Sequence, residues 1–362
     1  MSLNVKCTSC GANVAYEPGT AHLTCQYCHH TIDIRSANLA EHANQELDLN
    51  QYLHDVEHAA PKVERNVVSC SGCGATTELK ANAVSGICPF CETPLVIEQS
   101  SLQSLIKPAG LLPFAIDKKV ATDNFKTWVS SLWFAPNELK KKSASLDHFK
   151  GIYLPFWTYD SNTDSHYNGQ RGTYYYVDVS YRDKEGNSKT RRERRTSWTS
   201  VSGFVSQSFD DVLIPATSSV PEDKLNALQP WDLGDLVDYK DEYISGYLCE
   251  SYSTDLKMGY QQAKVIMDAQ IRDAIRSDIG GDEQRISSVS TQYHQVTFKH
   301  LLLPTWVSAY RYKRKVFQVL VNARTGEVQG ERPWSWVKIS AAAFSVALVV
   351  GGLAYWYQVT HY

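Results

Sequence analysis

Eight of the nine cysteines of this chain fall into four C-x2-C pairs, and the pairs fall into two matching frames. CTSCGANVAYEPGTAHLTCQYC (7–28) carries Cys7, Cys10, Cys25 and Cys28; CSGCGATTELKANAVSGICPFC (70–91) carries Cys70, Cys73, Cys88 and Cys91, with fourteen residues between the pairs each time. A C-x2-C turn aims two thiolates at one centre, and two such turns across a short hairpin complete a tetrahedron of sulfur, the arrangement Zn²⁺ accepts in structural sites. The expected cofactor is therefore two structural zinc ions per chain. Disulfides and redox C-x2-C chemistry are the alternatives, and a doubled four-cysteine frame without an evident signal peptide favours metal over both. A site closed by four thiolates has no open position to activate water, so the chemistry is structural. Gly11 and Gly74 follow the second cysteine of each leading pair, where the turn calls for positive φ. His22, His29 and His30 lie nearby and read as surface residues.

The elements that position these sulfurs read as two small β ribbons, and their charge bears on what they touch. Residues 1–98 hold five Lys/Arg against eleven Asp/Glu, a net of −6 within a chain of net −3. The first ribbon has Lys6 against Glu17 and Asp33; the second has Arg65 and Lys80 against Glu64, Glu78, Glu92 and Glu98. Phosphate binding needs a basic face, so nucleic acid is disfavoured and a protein partner is expected. Between the ribbons, Leu49, Leu53, Val56 and Ala60 recur at helical spacing up to Pro61 and predict a spacer helix. Two ribbons joined by such a spacer suggest a two-point docking arm. Each is expected to unfold on its own when a cysteine is lost, leaving the rest intact.

Residues 339–357, ISAAAFSVALVVGGLAYWY, form nineteen positions without a charge. As a helix they span about 28 Å, one hydrocarbon core. Trp334 and Trp336 before the run, and Tyr355, Trp356 and Tyr357 at its end, match interfacial aromatic belts, and Arg324, Arg332 and Lys338 mark the N-terminal side as cytoplasmic. Ala343, Ala347 and Gly351 form a small-residue stripe that allows homo-oligomerisation through the span.

The segment between predicts an α+β body rich in aromatics. GTYYYVDVSYRDKEGNSKTRRERRTSWTSVSGFV reads as a long hairpin turning at residues 184–187. DLKMGYQQAKVIMDAQIRDAIRSDIGG reads as one amphipathic helix stopped by Gly280, with Tyr260, Ala263, Ile271, Ile275 and Ile279 among its apolar positions. Strands return after it, with a turn at residues 322–326. YLPFWTYD (153–160) echoes LLPTWVSAY (302–310), which suggests an internal duplication. The predicted organisation is ribbon 1 at 1–33, a helical spacer at 34–63, ribbon 2 at 64–98, a cytoplasmic body at 99–333 and a transmembrane helix at 337–357.

No phosphate-binding loop, H-E-x-x-H, G-x-S-x-G or dinucleotide-binding glycine pattern occurs, and no enzymatic activity is expected. Asp160 and Asp164 read as a carboxylate pair in a turn, and Cys249 as a buried, inert thiol. The basic run Lys189, Arg191, Arg192, Arg194 and Arg195 reads as a charged edge strand that discourages strand addition, with anionic lipid headgroups as its second reading.

The order of parts resembles the bacterial membrane-anchored zinc-ribbon proteins: two CxxCG ribbons, LLPFAID, YLPFWTYD, YISGYLCESY, LLPTWVSAYRY, VNARTGEVQGERPWSW and a C-terminal span. The resemblance covers nearly the whole chain, and residues 301–333 are its most specific part. It implies the same eight cysteines as zinc ligands and offers no catalytic residues; the primosomal or helicase-like label some members carry is not transferable without a nucleotide-binding motif. It also implies the bacterial inner membrane, partners of the stomatin/prohibitin-like (SPFH) or phage-shock protein A type, and a role in membrane stress or membrane organisation. The leading reading is a tail-anchored scaffold that recruits such a partner. A membrane-tethered nucleic-acid-binding protein and an enzyme with an unrecognised site in the body are its rivals. A chain ended before Lys338 should leave the membrane fraction. Its persistence in the pellet after carbonate and high-salt extraction would demand a second anchor.

Overall fold

A computed structural model describes residues 5–34, 43, 45–54, 62–78, 86–95, 100–138, 149–182, 186–312 and 315–361. The fold is α+β, as the sequence predicts. Ribbon 1 is a three-stranded sheet of β1 (Val14–Tyr16), β2 (His22–Cys25) and β3 (Thr31–Asp33). Next come β4 (Leu47–Asp48) and the short α1 (Leu49–His54). Ribbon 2 joins β5 (Lys62–Ser69), β6 (Thr76–Glu78) and β9 (Ser100–Ile106) in one sheet and β7 (Gly86–Ile87) with β8 (Pro94–Leu95) in another. Among the described residues the spacer is helical over Leu49–His54. Leu49 is buried and β4 pairs into the body, while Val56, Ala60 and Pro61 lie outside the described residues.

The body is built on three strands of unusual length: β11 (Lys150–Arg182), β12 (Ser188–Pro215) and β15 (Glu283–Tyr312). Globular strands average about six residues; β11, extended at ~3.3 Å per residue, runs roughly 100 Å. β11 lies between the other two, antiparallel to both. β10 (Gly110–Leu111), β13 (Val237–Asp238), β14 (Leu248–Cys249), β16 (Lys315–Asn322) and β17 (Val328–Gly330) complete a nine-stranded sheet with β4. Helices α2 (Lys118–Ser131), α3 (Glu222–Ala227), α4 (Asp241–Ile244) and α5 (Leu256–Ile279) pack around it, and α6 (Trp336–His361) leaves it.

The two echoing segments face each other across the centre of this sheet. Tyr153 pairs with Pro304, Leu154 with Leu303 and Pro155 with Leu302. Each proline carbonyl accepts an amide from the chain just beyond the returning hairpin strand: Ala216 N–H to Pro155 at 2.9 Å and Ala323 N–H to Pro304 at 3.1 Å. The two echoing segments thus make equivalent bonds on paired strands.

Helix α5 is the amphipathic helix the periodicity predicts. Asp255 caps it by accepting the Met258 amide, and Gly280 ends it with φ 65°. Leu256, Gly259, Ala263, Met267, Ile271, Ile275 and Ile279 form its buried stripe, at ~25 cal/mol per Å² of apolar surface removed from water. Gly259 lets it approach the sheet, since a Cβ there would meet the Tyr159 hydroxyl at 2.5 Å. Asp160 and Asp164 lie on β11 and not in a turn, and they do not form a site. Asp160 is buried at a bulge and accepts the Asp211 amide, whereas Asp164 is solvent-facing and bonded to Ser206.

Both ribbons are docked on the body, and this overturns the picture of a separate arm. Val14, Tyr16, Cys7 and Cys25 share one apolar core with Phe114, Tyr153 and Trp306; Cys70, Cys88 and Phe90 share another with Leu112, Leu154 and Leu301. On the first ribbon, Ser245 Oγ donates to the Val14 carbonyl at 2.7 Å and the Tyr16 and Tyr243 rings meet edge-on at 5.4 Å. On the second, Arg65 bridges to the body, 3.6 Å from Glu78, 3.8 Å from Asp241 and bonded to the Tyr239 hydroxyl at 2.8 Å. Gln318 Nε2 donates to the Phe90 carbonyl at 3.0 Å. A ribbon without metal would thus expose core surface, so its loss is expected to propagate.

Beside ribbon 2, Glu250 is buried and accepts hydroxyl bonds from Thr217 and Ser219. Desolvation outweighs those donors and pushes its carboxyl up to about 7. A carboxyl raised on folding contributes stability below its unfolded pKa and loses it as pH rises through the folded value. Glu250→Gln should therefore stabilise the protein relative to the parent. The advantage should grow between about pH 4.5 and 7 and level off near ~3 kcal/mol above that. Denaturant midpoints of the two chains across this range measure it, and a pH-independent difference would refute the assignment.

Candidate metal centres and the cleft between them

Four backbone knuckles of one geometry hold the sulfurs. In each, the amide of the first cysteine and its carbonyl are both engaged within the turn: Cys7 with Ala12 and Gly11, Cys25 with His30 and His29, Cys70 with Ala75 and Gly74, Cys88 with Thr93 and Glu92. The residue after each pair is left-handed, with φ 71° at Gly11 and 77° at Gly74 as the sequence anticipates. At the two later knuckles His29 (54°) and Glu92 (60°) take the same conformation without glycine, at a cost of about 1 kcal/mol that the surrounding turn must offset.

These turns bring the eight cysteines into two clusters, Cys7, Cys10, Cys25, Cys28 and Cys70, Cys73, Cys88, Cys91, with all sulfurs of a cluster within 4.8 Å of one another. Cys7 and Cys28 are 3.6 Å apart, Cys10 and Cys25 3.5 Å, Cys70 and Cys91 3.5 Å, and Cys73 and Cys88 3.6 Å. A disulfide needs about 2.05 Å. A tetrahedron with Zn–S bonds of ~2.3 Å has edges of about 3.8 Å, close to what is seen. Either cluster could hold a zinc ion. The amides of Ser9 and Gly72 point at Cys7 and Cys70 Sγ at 3.4 Å, donors suited to thiolate. The backbone donors of Cys28 and Tyr27 bring the Cys25 thiol down to about 6. Burial opposes ionisation at Cys91, yet donors from Thr93 prevail and bring it to about 7. In each cluster a thiol is thus drawn toward its ionised form, as a cation site requires.

The nearby histidines stay outside. His29 and His30 are exposed, and His22 faces Glu17 at 3.3 Å. Cys249 is buried and its thiol is pushed well above the ordinary range by burial, which suits an inert role. A third group, Glu46, Asp160 and Asp210, also converges. Lys299 already sits there, 3.6 Å from Glu46 and 2.7 Å from Asp211, so a lysine neutralises what a cation would.

Docking of the ribbons creates something that the cysteine spacing does not reveal. Between them and the body opens a cleft of about 750 Å³, within the range of ligand pockets. Ribbon 1 contributes Tyr16 and Glu17, ribbon 2 Val68, Ile87 and Leu95, and the body Phe149, Tyr247 and Trp306. Its floor is apolar and aromatic. Its carboxylates are already employed: Glu17 holds Thr24, Glu78 holds Arg65 and Asp117 caps α2. The sequence signal for this site was only the aromatic richness around residues 149–157 and 302–310.

At the C-terminus, residues 336–357 form a helix long and apolar enough to cross a membrane, with none of its core span buried against the body. Gly351 has open space around its Cα, so the stripe with Ala343 and Ala347 is uncovered within this chain. The run from Lys189 to Arg195 lies on edge strand β12, as its charge suggests. It splits by face: Arg191 and Arg195 flank Glu193, while Arg192 and Arg194 stack over Tyr176 and Tyr174 at 4.6 and 4.1 Å.

No family model matches the chain. It is 24% identical over 355 residues to a protein of Bacillus subtilis (strain 168) known as uncharacterized protein YdjG, covering 94% of this chain and 93% of that one. The likeness runs nearly end to end.

Purified full-length protein is expected to carry about two zinc ions, and Cys25→Ser or Cys88→Ser about one. Structural zinc supplies ~10–16 kcal/mol of apparent binding energy. With the ribbons sharing the body's cores, either substitution should lower the melting temperature of the whole chain. Metal analysis with calorimetry tests this. A body transition untouched by the substitution would contradict the shared-core account.

Proposed function

We propose that this protein is a single-span membrane adaptor. Its two zinc-loaded ribbons wall a cleft that captures an apolar segment of a partner protein at the cytoplasmic membrane surface. The observation that carries this reading is the cleft itself, whose walls come from both ribbons and whose floor comes from the body. It explains why two closed metal sites are needed: each rigidifies one wall, and neither has an open position for catalysis. An aromatic floor with few polar groups supports binding by burial. The carboxylates around it are committed to structural bonds, which favours binding over acid–base chemistry. Rim residues Glu17, Glu78 and Asp117 outnumber Lys118 and Lys150, so a segment with a cationic end is the better complement.

The acidic ribbons disfavour the nucleic-acid alternative. The resemblance makes a stomatin/prohibitin-like or phage-shock protein A-like protein the first partner to try, and the cations flanking α6 support a cytoplasmic orientation.

A photo-crosslinking residue placed at exposed Ile87 on the cleft wall, in membranes of the source cell, should give a discrete protein adduct. The same probe at Tyr176 on the distal hairpin should not. Lys150→Glu in the Ile87 probe chain makes the rim more acidic and should strengthen the adduct with a cationic segment, at unchanged zinc content. Adducts of equal yield from both positions would sink the cleft as the docking site.

A further inference from the structure

The membrane helix leaves the body through a groove that is both basic and aromatic, and we propose that this groove binds the headgroup phosphate of an anionic phospholipid. The groove has a volume of about 790 Å³ and is lined by Lys315, Phe317, Arg332, Trp334 and Trp336, with Ile339 on the helix itself. Two tryptophans line it, Trp334 and Trp336, 52 and 77% exposed, and a third, Trp133, 75% exposed, is bonded to the anchor beside it. Trp133 comes from two hundred residues upstream and is held there by the anchor. Lys338 Nζ donates to the Trp133 and Ala135 carbonyls at 3.2 and 2.8 Å, and the Ser335 amide donates to Phe134 at 2.8 Å. The Phe134 and Trp334 rings approach to 6.5 Å, and the Arg332 guanidinium lies 4.5 Å over Trp334.

Exposed tryptophans around the start of a transmembrane helix sit at headgroup depth. Cations at that depth face the negative surface of the cytoplasmic leaflet. Lys315 and Arg332 therefore stand where lipid phosphates are, on the side the helix orientation assigns to the cytoplasm. The groove is continuous with the span, so the lipid source is the bilayer. The basic run at residues 189–195 is a poorer candidate, because its arginines are occupied by Glu193 and tyrosine faces. It also lies at the opposite end of β11, roughly 100 Å along the strand from Lys150.

The full chain in a neutral detergent, titrated with dihexanoyl phosphatidylglycerol below its micellar concentration, should show a saturable change in tryptophan fluorescence. Dihexanoyl phosphatidylcholine should bind far more weakly. Each cation at a membrane surface changes affinity about fivefold, so Lys315→Gln with Arg332→Gln should weaken phosphatidylglycerol about thirtyfold. Lys315→Arg with Arg332→Lys keeps the charge and should keep the binding, which separates a lost site from a misfolded chain. Glycerol phosphate, the soluble source of the same chemistry, should not compete at equal concentration. Equal binding of the two lipids, no saturable response, a double Gln variant that binds as the parent does, a charge-keeping variant that does not bind, or full competition by glycerol phosphate would each overturn the proposal.

Discussion

The antiparallel pairing of β11 with β15 is the constraint on which everything else in this molecule rests. It runs from Lys150 opposite Val307 to Gly172 opposite Glu283, and every functional part is hung from one stretch of it. Ribbon 1 meets it through Phe114, Tyr153 and Tyr247, whose rings interlock at 4.0–6.1 Å. Ribbon 2 packs where Leu154 and Leu301 face its cysteines. Helix α5 covers the distal stretch, and the anchor is tied to the proximal end through β16 and β17. A ladder of this length places the two ends of the molecule far apart while keeping each rigid.

Bulges regulate that rigidity. At Asp160 both neighbouring strands carry a left-handed residue, Asp211 on β12 and Gln295 on β15, and the register shifts on both sides. A bulge adds twist and bends the strand. The ionic group of Lys299, Asp211, Glu46 and Asp160 fills the bend, with the Asp160 carboxyl pushed up to about 7 by burial and by Glu46 beside it. Proximal of this point the sheet carries the ribbons, the cleft and the anchor. Distal of it the sheet thins to three strands and then to a bare two-stranded ribbon of tyrosines and arginines. That division separates the end that carries the ribbons, the cleft and the apolar C-terminal helix from a projecting two-stranded arm, where Arg191 and Arg195 flank Glu193 and Arg192 and Arg194 stack on tyrosine rings.

Metal and membrane are coupled through the same proximal block. Helix α2 begins at the cleft, where Asp117 and Lys118 line it, and its C-terminal end leads into the Trp133 loop that grips the anchor. Fourteen helical residues, about 21 Å, connect the two. The ribbon wall, the cleft and the root of the apolar C-terminal helix thus belong to one block of the structure.

Local order was legible in the sequence because it is local physics. The cysteine frames set the knuckles, Asp255 and Gly280 bounded a helix of the predicted period, and a charge-free run of membrane length announced the anchor. Even the duplicated L-P-x-W segments were visible before their pairing was. What the chain order concealed is what sits beside what. The ribbons read as independent because a four-thiolate site is self-sufficient in its ligands; only the tertiary structure shows Tyr16 and Phe90 buried in the body's cores, where apolar burial outweighs separateness. Just before the spacer's apolar stripe, Leu47 and Asp48 pair with β15, since a sheet edge offers hydrogen bonds that helical spacing does not register. The cleft and the Trp133 groove each join residues a hundred or more positions apart. No periodicity or motif encodes such a meeting, because it is decided by which strands pair and in what register.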